Sequence, residues 1–182
     1  MMRKRWHILV DLLKDRPHAT GAEIGVFEGD TTAYLLTALP GIHMLTCVDP
    51  FVHYPAQTVT LNPNKPKFHD ADFDKVMLTF MRRTEPFRSK VHLIRAFSTE
   101  AVPIIADGSL DWAFIDGNHA YEFVSTDIRD WLPKIKPGGL LTGHDWNVKG
   151  SQRNFGVNRA VKEAFGDNFS FVRHVWYHQV PQ

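Results

Sequence analysis

The feature that most constrains the fold is a pair of apolar runs, each of which ends in an aspartate. The first run, LDWAFID, ends at Asp116, and the second, GGLLTGHD, ends at Asp145. Both have the length and composition of buried parallel strands, and the segment between them is long enough for a helical crossover. Because neighbouring parallel strands end at the same edge of a sheet, we expect both carboxylates at the edge where open α/β sheets bind ligands.

Strand-like and helix-like segments alternate along the 182-residue chain. About seven strand-like runs predict an α/β fold with a doubly wound, mostly parallel seven-stranded sheet. The last two runs, FSFVRHV and WYHQV, are so close that they predict an antiparallel C-terminal pair. We expect one domain over residues 1–182, with an amphipathic helix in residues 1–18. Segment 51–73 interrupts the alternation, which predicts a substrate lid or, alternatively, an ordinary surface loop.

Composition narrows the classes of partner. Lysine and arginine total 21 and aspartate and glutamate total 20, so the chain lacks the excess positive charge that nucleic acid or an anionic membrane would favour. The lone Cys47 excludes an internal disulfide framework, and no segment has the length of a membrane span. These observations predict a cytoplasmic protein that binds neither nucleic acid nor membrane. The N-terminal helix and the C-terminal strand pair leave a homodimer open.

The junction after the first strand-like run carries a glycine motif, AEIGVFEGDTT. Gly25 permits a tight turn where the strand ends, and Gly29 permits close backbone approach at the start of the next helix. The N–H groups of that helix N-terminus would favour an anionic part of a ligand. Asp49 follows about 20 residues later, where nucleotide-binding folds place an acidic residue on a ribose diol. The alternative is that Asp49 is a turn residue before Pro50.

Four segments occur in a fixed order along residues 20–166: AEIGVFEGDTTAYLL, CVDPF, LDWAFIDGNHAYEFVSTDIRDWLPKIKPGGLLTGHDW and GVNRAVKEAF. Together they resemble the class I methyltransferases that use S-adenosylmethionine, in particular the metal-dependent O-methyltransferase branch related to macrolide-sugar enzymes. The resemblance implies a Rossmann-like fold. It also implies methylation of a hydroxyl on a small-molecule acceptor, such as a sugar or a natural-product intermediate.

The resemblance further implies a set of cofactor-binding residues. It places Glu23 and Gly25 near the methionine part of S-adenosylmethionine, Asp49 on the ribose, and Phe97 and Ser98 beside the adenine. The whole set that we expect at the cofactor is Glu23, Gly25, Gly29, Asp49, Phe97, Ser98 and Asp116.

The same resemblance gives Asp116, His144 and Asp145 the places of metal ligands. Magnesium is the first expectation, because a hard cation can be held by carboxylates and substrate oxygens. His144 stands where relatives often have an acidic residue, and an imidazole ligand favours manganese, iron, nickel or zinc instead. His119 matches the place of a general base in the sugar-modifying relatives, so His119 and Asp116 are the expected catalytic residues.

Other interpretations of these residues stay open at this point. Asp116 and Asp145 could cap helices or form ordinary ion pairs, and His119 could be a turn residue after Gly117. A dinucleotide-dependent oxidoreductase fits the alternation, although the G-x-G-x-x-G motif is missing. A non-catalytic scaffold that only binds the cofactor would explain why His144 stands where relatives often have an acidic residue.

Two features after Asp145 bear on the acceptor. Trp146 could wall the acceptor pocket, and Lys149 and Arg153 could bind an acidic group of the substrate.

Overall fold

The computed structural model describes residues 3–16, 18–54, 71–147 and 154–182. In these ranges six α-helices alternate with seven strands. The helices are α1 (Arg5–Leu13), α2 (Asp30–Ala38), α3 (Phe73–Thr84), α4 (Ser98–Ala101), α5 (Tyr121–Trp131) and α6 (Asn154–Phe165). The strands are β1 (Thr20–Ile24), β2 (Met44–Val48), β3 (Val91–Ile94), β4 (Leu110–Ile115), β5 (Ile135–Gly143), β6 (Ser170–Val172) and β7 (Val175–Gln179).

The strands form one sheet in the order β3-β2-β1-β4-β5-β7-β6. The pairings among β1 to β5 are parallel, and β7 runs antiparallel to both β5 and β6. This arrangement confirms the predicted α/β fold class, including the antiparallel C-terminal pair. The strand order reverses between β1 and β4, and such a switch point is where open α/β sheets hold their ligands.

Period-two alternation along the central strands builds a separate core on each face of the sheet. In β4, Ala113 and Ile115 join the core formed with α5 and α6, whereas Trp112 and Phe114 join the core formed with α1, α2 and α3. The N-terminal helix buries Ile8, Leu9 and Leu13 in the second core. The sheet is therefore covered on both faces, and ligands must approach it from an edge.

Two fully buried indoles are accommodated by glycines on neighbouring strands. Trp112 is the register partner of Gly21, and Trp176 is the register partner of Gly143. A Cβ atom at Gly21 would lie 2.1 Å from the Trp112 ring, and one at Gly143 would lie 2.5 Å from the Trp176 ring. These glycines leave the volume that the indoles fill, which is how large side chains reach the packing density of a protein interior.

Several boundaries differ from the sequence-based expectation. The short helix α4 begins at Ser98 with Phe97 as its N-cap residue, so the Glu100 carboxylate stands at the ideal position and accepts from the Phe97 N–H at 3.0 Å. The segment STE by itself predicts the cap one residue later, at Ser98, because serine is a preferred N-cap residue. Strand β5 begins at Ile135, ahead of the two glycines where we expected it to begin.

The central part of the predicted lid, residues 55–70, lies outside the described residues. None of the described helices combines the length and apolarity needed to cross a bilayer.

The Gly21 and Trp112 contact gives a stability prediction. Replacing Gly21 with alanine should lower the free energy of unfolding by ~1–3 kcal/mol, because the added methyl group overlaps the buried indole. Gly117→Ala is the matched control, since its Cβ would lie 3.8 Å from the nearest atom. Urea denaturation measures both variants. Equal stabilities would contradict the packing that we describe.

Candidate active site

A cavity of about 850 Å³ lies along the carboxyl edge of the sheet. Its lining includes residues that follow each of the five parallel strands: Gly25 after β1, Asp49 after β2, Phe97 after β3, Asp116 after β4 and Asp145 after β5. A volume of this size is at the upper end of small-molecule sites. The cavity can therefore hold a cofactor together with a second small ligand.

Gly25 allows β1 and β4 to converge at the switch point. It has a φ of +89°, and a Cβ atom there would lie 2.5 Å from the Gly117 Cα and 2.6 Å from the Asp116 carbonyl oxygen. Only glycine fits this combination of left-handed backbone and close approach. The residue thus brings the end of β1 directly against Asp116.

Asp49 fixes the two loops that meet at the middle of the cavity. One carboxylate oxygen accepts from the N–H groups of Val26 and Phe27 at 3.1 and 2.9 Å, and the other accepts from Phe51 at 2.8 Å. Burial raises the pKa of Asp49, and these three hydrogen bonds oppose the rise. Because a carboxylate has about four acceptor positions, capacity remains for a ligand hydroxyl. Asp49 can therefore accept from the turn at Phe51 and also bind a hydroxyl of a ligand.

Glu23 and Gly29 do not line the cavity. Glu23 is buried and accepts from the Thr32 hydroxyl at 2.6 Å. Burial raises the pKa of Glu23 to about 8, although the Thr32 hydrogen bond and the charge of Arg5 oppose the rise. A Cβ atom at Gly29 would lie 2.8 Å from the Phe80 ring, so this glycine makes room for α3. The cofactor roles of both residues stay predictions.

Four predicted functional side chains converge after β4 and β5. His119 Nε2 lies 2.7 Å from Asp145 Oδ2 and 3.7 Å from Asp116 Oδ1. His144 Nδ1 lies 3.1 Å from Asp145 Oδ1 and 3.4 Å from Asp116 Oδ1. Asp145 adopts a left-handed φ of +58°, which aspartate tolerates better than most residues. We call these four residues the acidic–histidine cluster.

Arg5 joins this cluster and was missed in the sequence. Its Nε donates to Thr31 Oγ1 at 3.0 Å and lies 2.8 Å from Asp116 Oδ2, and the residue lines the cavity. Burial would raise the pKa of Asp116, but the charge of Arg5 and the adjacent imidazoles of His144 and His119 hold it well below its usual range. Only the basic residues at the start of the predicted N-terminal helix could have drawn attention to Arg5.

The two histidines of the cluster favour the protonated form. Burial alone would lower both pKa values, but the adjacent carboxylates of Asp116 and Asp145 raise each to about 9. The same contacts hold the pKa of Asp145 far below its usual range, against the effect of burial. The cluster is therefore a region where opposite charges compensate one another in a largely dry setting.

The donor set fits a divalent cation. One ligand atom each from Asp116, His119 and His144 can be chosen so that all lie within 4.8 Å of one another. His119 Nε2 is buried, and among the described residues no hydrogen bond of good geometry satisfies it despite its short contact with Asp145. A buried polar atom without such a partner calls for an explanation, and a metal ion would supply one. His119 is thus a candidate ligand beside Asp116 and His144, and the ligand role of Asp145 stays a prediction.

Comparison with known proteins identifies the family. A family model described as a methyltransferase domain matches residues 22–146, which is more than half of the chain. The chain belongs to this methyltransferase family. The match spans β1 to the end of β5, so it contains every strand end that lines the cavity. The resemblance to class I methyltransferases that use S-adenosylmethionine is thereby confirmed.

Solved structures share the fold at low sequence identity. The structure of the O-methyltransferase NovP has a TM-score of 0.64 at 16% identity, with 97% of this chain and 78% of that chain covered. The cofactor-bound protein Rv0187 from MTB has a TM-score of 0.69 at 13% identity, with 100% of this chain and 82% of that chain covered.

A curated relative matches over a shorter stretch. An uncharacterised protein of Sinorhizobium fredii is 38% identical over 65 residues, which are 36% of this chain and 7% of that protein. The chain thus spans only a small fraction of the length of this relative.

The acceptor side of the methyltransferase differs from our expectation at one residue. Trp146 is buried against Phe169 and Phe171, with ring centroids 4.8 and 5.6 Å apart, and it does not line the cavity. Its indole packs the C-terminal strands onto the sheet instead of facing a substrate. Lys149 and Arg153 lie outside the described residues.

The raised pKa of Glu23 gives a pH prediction for this methyltransferase. Between pH 4.5 and about 8 the folded protein should hold the Glu23 proton while the unfolded chain releases it. The free energy of unfolding should therefore fall as pH rises through this window. Glu23→Gln lacks this dependence and keeps an acceptor for Thr32, so it should gain at least ~1 kcal/mol over wild type between pH 5 and 8.

Urea unfolding at pH 5, 6.5 and 8 measures the effect. Glu85→Gln is the control, because Glu85 is exposed and should give a curve parallel to wild type. A constant difference between wild type and Glu23→Gln across this range would mean that Glu23 is ionised in the folded protein at pH 5.

Proposed function

We propose that the protein transfers a methyl group from S-adenosylmethionine to a hydroxyl of a small molecule, with assistance from a divalent cation. One observation carries the proposal: a single cavity connects the strand ends suited to a nucleoside with the acidic–histidine cluster. The family membership supports methyl transfer, and the cluster supports oxygen as the methylated atom, because a hydroxyl must lose a proton during its methylation.

The strand order supports the placement of the cofactor. From β3 to β5 the edge crosses four strand spacings, roughly 19 Å at about 4.8 Å each. Phe97 and Ser98 stand at one end, Asp49 and Gly25 follow, and Asp116 lies beyond them. A nucleoside bound at β3 and β2 would direct its methionine part across the switch point toward Asp116. The reactive methyl group would then reach the acidic–histidine cluster.

Each residue has a definite part in this arrangement. Asp49 accepts from the ribose hydroxyls with the acceptor capacity that its three backbone contacts leave. S-adenosylmethionine supplies, when bound, a sulfonium whose methyl group is activated for transfer. Arg5 holds Asp116 by Oδ2, which leaves Oδ1 directed toward the two histidines. This support restricts the rotation of a carboxylate that must be positioned accurately.

The cluster handles the proton of the acceptor. Asp116, His119 and His144 would hold the cation, which would replace the protons that the two imidazoles favour in its absence. The Asp145 carboxylate, which lies beside both imidazoles, would add negative charge next to the cation. A bound divalent cation lowers the pKa of a coordinated hydroxyl. A site with two imidazoles favours manganese, iron, nickel or zinc over magnesium. In the alternative arrangement the cation is held without His119, and its positive charge would favour the neutral imidazole, whose Nε2 would accept the hydroxyl proton. Metal affinity separates the ligand role of His119 from the base role.

Binding measurements test the proposal first. We expect calorimetry to show micromolar binding of S-adenosylmethionine, and binding of Mn²⁺ that is tighter than that of Mg²⁺. Asp116→Ala should abolish Mn²⁺ binding, and Asp145→Asn should weaken it roughly 10–100-fold, because a negative charge next to the ligands is lost. Asp107→Ala is the control, since Asp107 is exposed and pairs with Lys134 away from the cavity. Absence of cofactor binding would overturn the methyltransferase proposal.

Turnover measurements separate the finer claims. With Mn²⁺ present, a panel of catechols, phenols and sugars should yield methylated oxygen, and Asp116→Ala should lose this activity. Cofactor binding without transfer to any hydroxyl would favour the non-catalytic scaffold. Transfer to nitrogen acceptors alone would reject the O-methyltransferase assignment and retain the family. His119→Ala that keeps Mn²⁺ affinity but loses turnover would assign His119 as the base.

A further inference from the structure

Arg5 is the one lysine or arginine among the described residues that line the cavity, and the lining around it is acidic. The carboxylates of the lining belong to Asp49, Asp116, Glu122, Asp127 and Asp145. Most positions along the cavity would therefore repel an anionic part of a ligand. His119 and His144 are already paired within the acidic–histidine cluster. A carboxylate in a bound ligand would thus be stabilised best beside Arg5.

The opposite end of the cavity, where β3 ends, does not suit an anion. The Tyr54 ring meets Phe97 and Phe123 edge-on at 5.5 and 5.4 Å, and all three residues line the cavity. Asp127 lies at the same end, is buried, and forms a hydrogen bond with Ser98. Aromatic rings and a buried acid would leave a ligand carboxylate without compensation there.

Contacts to two strand ends place the Arg5 guanidinium at the switch point of the sheet. Its Nε donates to Thr31 Oγ1 at 3.0 Å, and Thr31 lies in the first turn of α2, which follows β1. The same nitrogen lies 2.8 Å from Oδ2 of Asp116, which follows β4. In the proposed arrangement the methionine part of the cofactor crosses between these two strands toward Asp116. Arg5 therefore lies beside the part of the ligand that carries a carboxylate.

The terminal nitrogens of Arg5 are available to a ligand. Among the described residues none accepts a hydrogen bond from Nη1 or Nη2, because Nε makes the polar contacts of this side chain. The side chain is 33% exposed and lines the cavity. A guanidinium offers parallel N–H donors that match the two oxygens of a carboxylate. Arg5 can thus form a bidentate pair with a ligand while Nε stays beside Asp116.

The fold holds Arg5 in place before a ligand binds. Arg5 begins α1, which is anchored in the core by its buried apolar face. Thr31 and Asp116 hold the far end of the side chain. An arginine that is already ordered loses less conformational entropy when it pairs with a ligand. Arg5 also precedes residues 22–146, which match the methyltransferase model, so the family match assigns it no role.

From this geometry we infer that Arg5 recognises the carboxylate of the methionine part of S-adenosylmethionine through its two terminal nitrogens. The inference rests on the proposed function, since it concerns the cofactor of that reaction. It makes the N-terminal helix a part of the cofactor site. A ligand with the same nucleoside and sulfonium but without the carboxylate would lose this contact and meet the positive charge of Arg5.

A matched pair of ligands tests the inference without a substitution. S-adenosylmethionine and decarboxylated S-adenosylmethionine share the nucleoside, the sulfonium and the amino group, and differ by the carboxylate. We expect calorimetry on the wild-type protein to show roughly 10–100-fold weaker binding of the decarboxylated compound, because a charge-assisted pair is lost. Equal affinities would overturn the inference and leave the proposed function intact. Failure of both compounds to bind would overturn the two together.

Arg5→Gln then assigns the preference to this side chain. We expect S-adenosylmethionine to bind about 10-fold or more weakly than to wild type. The decarboxylated compound has one more net positive charge and should bind Arg5→Gln at least as tightly as wild type. An equal loss of affinity for both compounds would show a purely structural role for Arg5 and contradict the assignment, as would an unchanged preference.

Two further variants complete the test. Arg3→Gln is the matched control, because it removes the same charge from an exposed side chain that pairs with Asp11 and does not line the cavity. It should keep the wild-type preference. Arg5→Lys keeps the charge but not the fork of donors, so its preference should lie between those of wild type and Arg5→Gln. A preference in Arg5→Lys as low as in Arg5→Gln would argue against recognition by charge.

Discussion

The close approach of β1 and β4 at the centre of the sheet is the constraint on which the rest of the site depends. Gly25 makes it possible, because any side chain at that position would overlap the backbone of Asp116 and Gly117. The amide N–H of Asp116 donates to the carbonyl of Ile24 at 2.8 Å, and that of Gly25 donates to Val48 at 2.8 Å. These bonds set the three strand ends in register, so the loops that follow them share one cavity. The strand order then decides which functional residues are neighbours.

Charge compensation around Asp116 links the N-terminal helix to this centre. A carboxylate that is largely withdrawn from water needs cations or donors around it, and Asp116 has Arg5 on one oxygen and the two histidines near the other. Arg5 is carried by α1, whose apolar face is anchored by Ile8, Leu9 and Leu13. The helix therefore does more than cover the sheet. It supplies a charge that would remain beside Asp116 when a cation binds, and so contributes to the electrostatics of the site.

The sequence predicted what depends on local pattern and chain order. The ends of β4 and β5 could be predicted because the apolar runs that stop at Asp116 and Asp145 mark where each buried strand ends, whereas the start of β5 at Ile135 was not predicted. Arg5 and Asp127 could not be predicted, since each reaches the cavity through a contact between elements far apart in sequence. The observed N-cap of α4 is Phe97, one residue before the predicted Ser98. The Ser98 hydroxyl instead accepts a hydrogen bond from Trp131, which lies 33 residues away. Local propensity carries no information about such partners.

The buried acids of this protein divide into two groups by their surroundings. Asp116 and Asp145 have cationic partners and stay ionised, whereas Glu23 and Asp127 have raised pKa values for which burial is the main cause. Charge is thus concentrated where β4 and β5 end, and the β3 end is aromatic and weakly charged. A ligand that suits both ends must be flat and apolar in one part and polar in the other. The sheet topology and the placement of charge therefore favour a nucleoside joined to a charged chain over a ligand of uniform polarity.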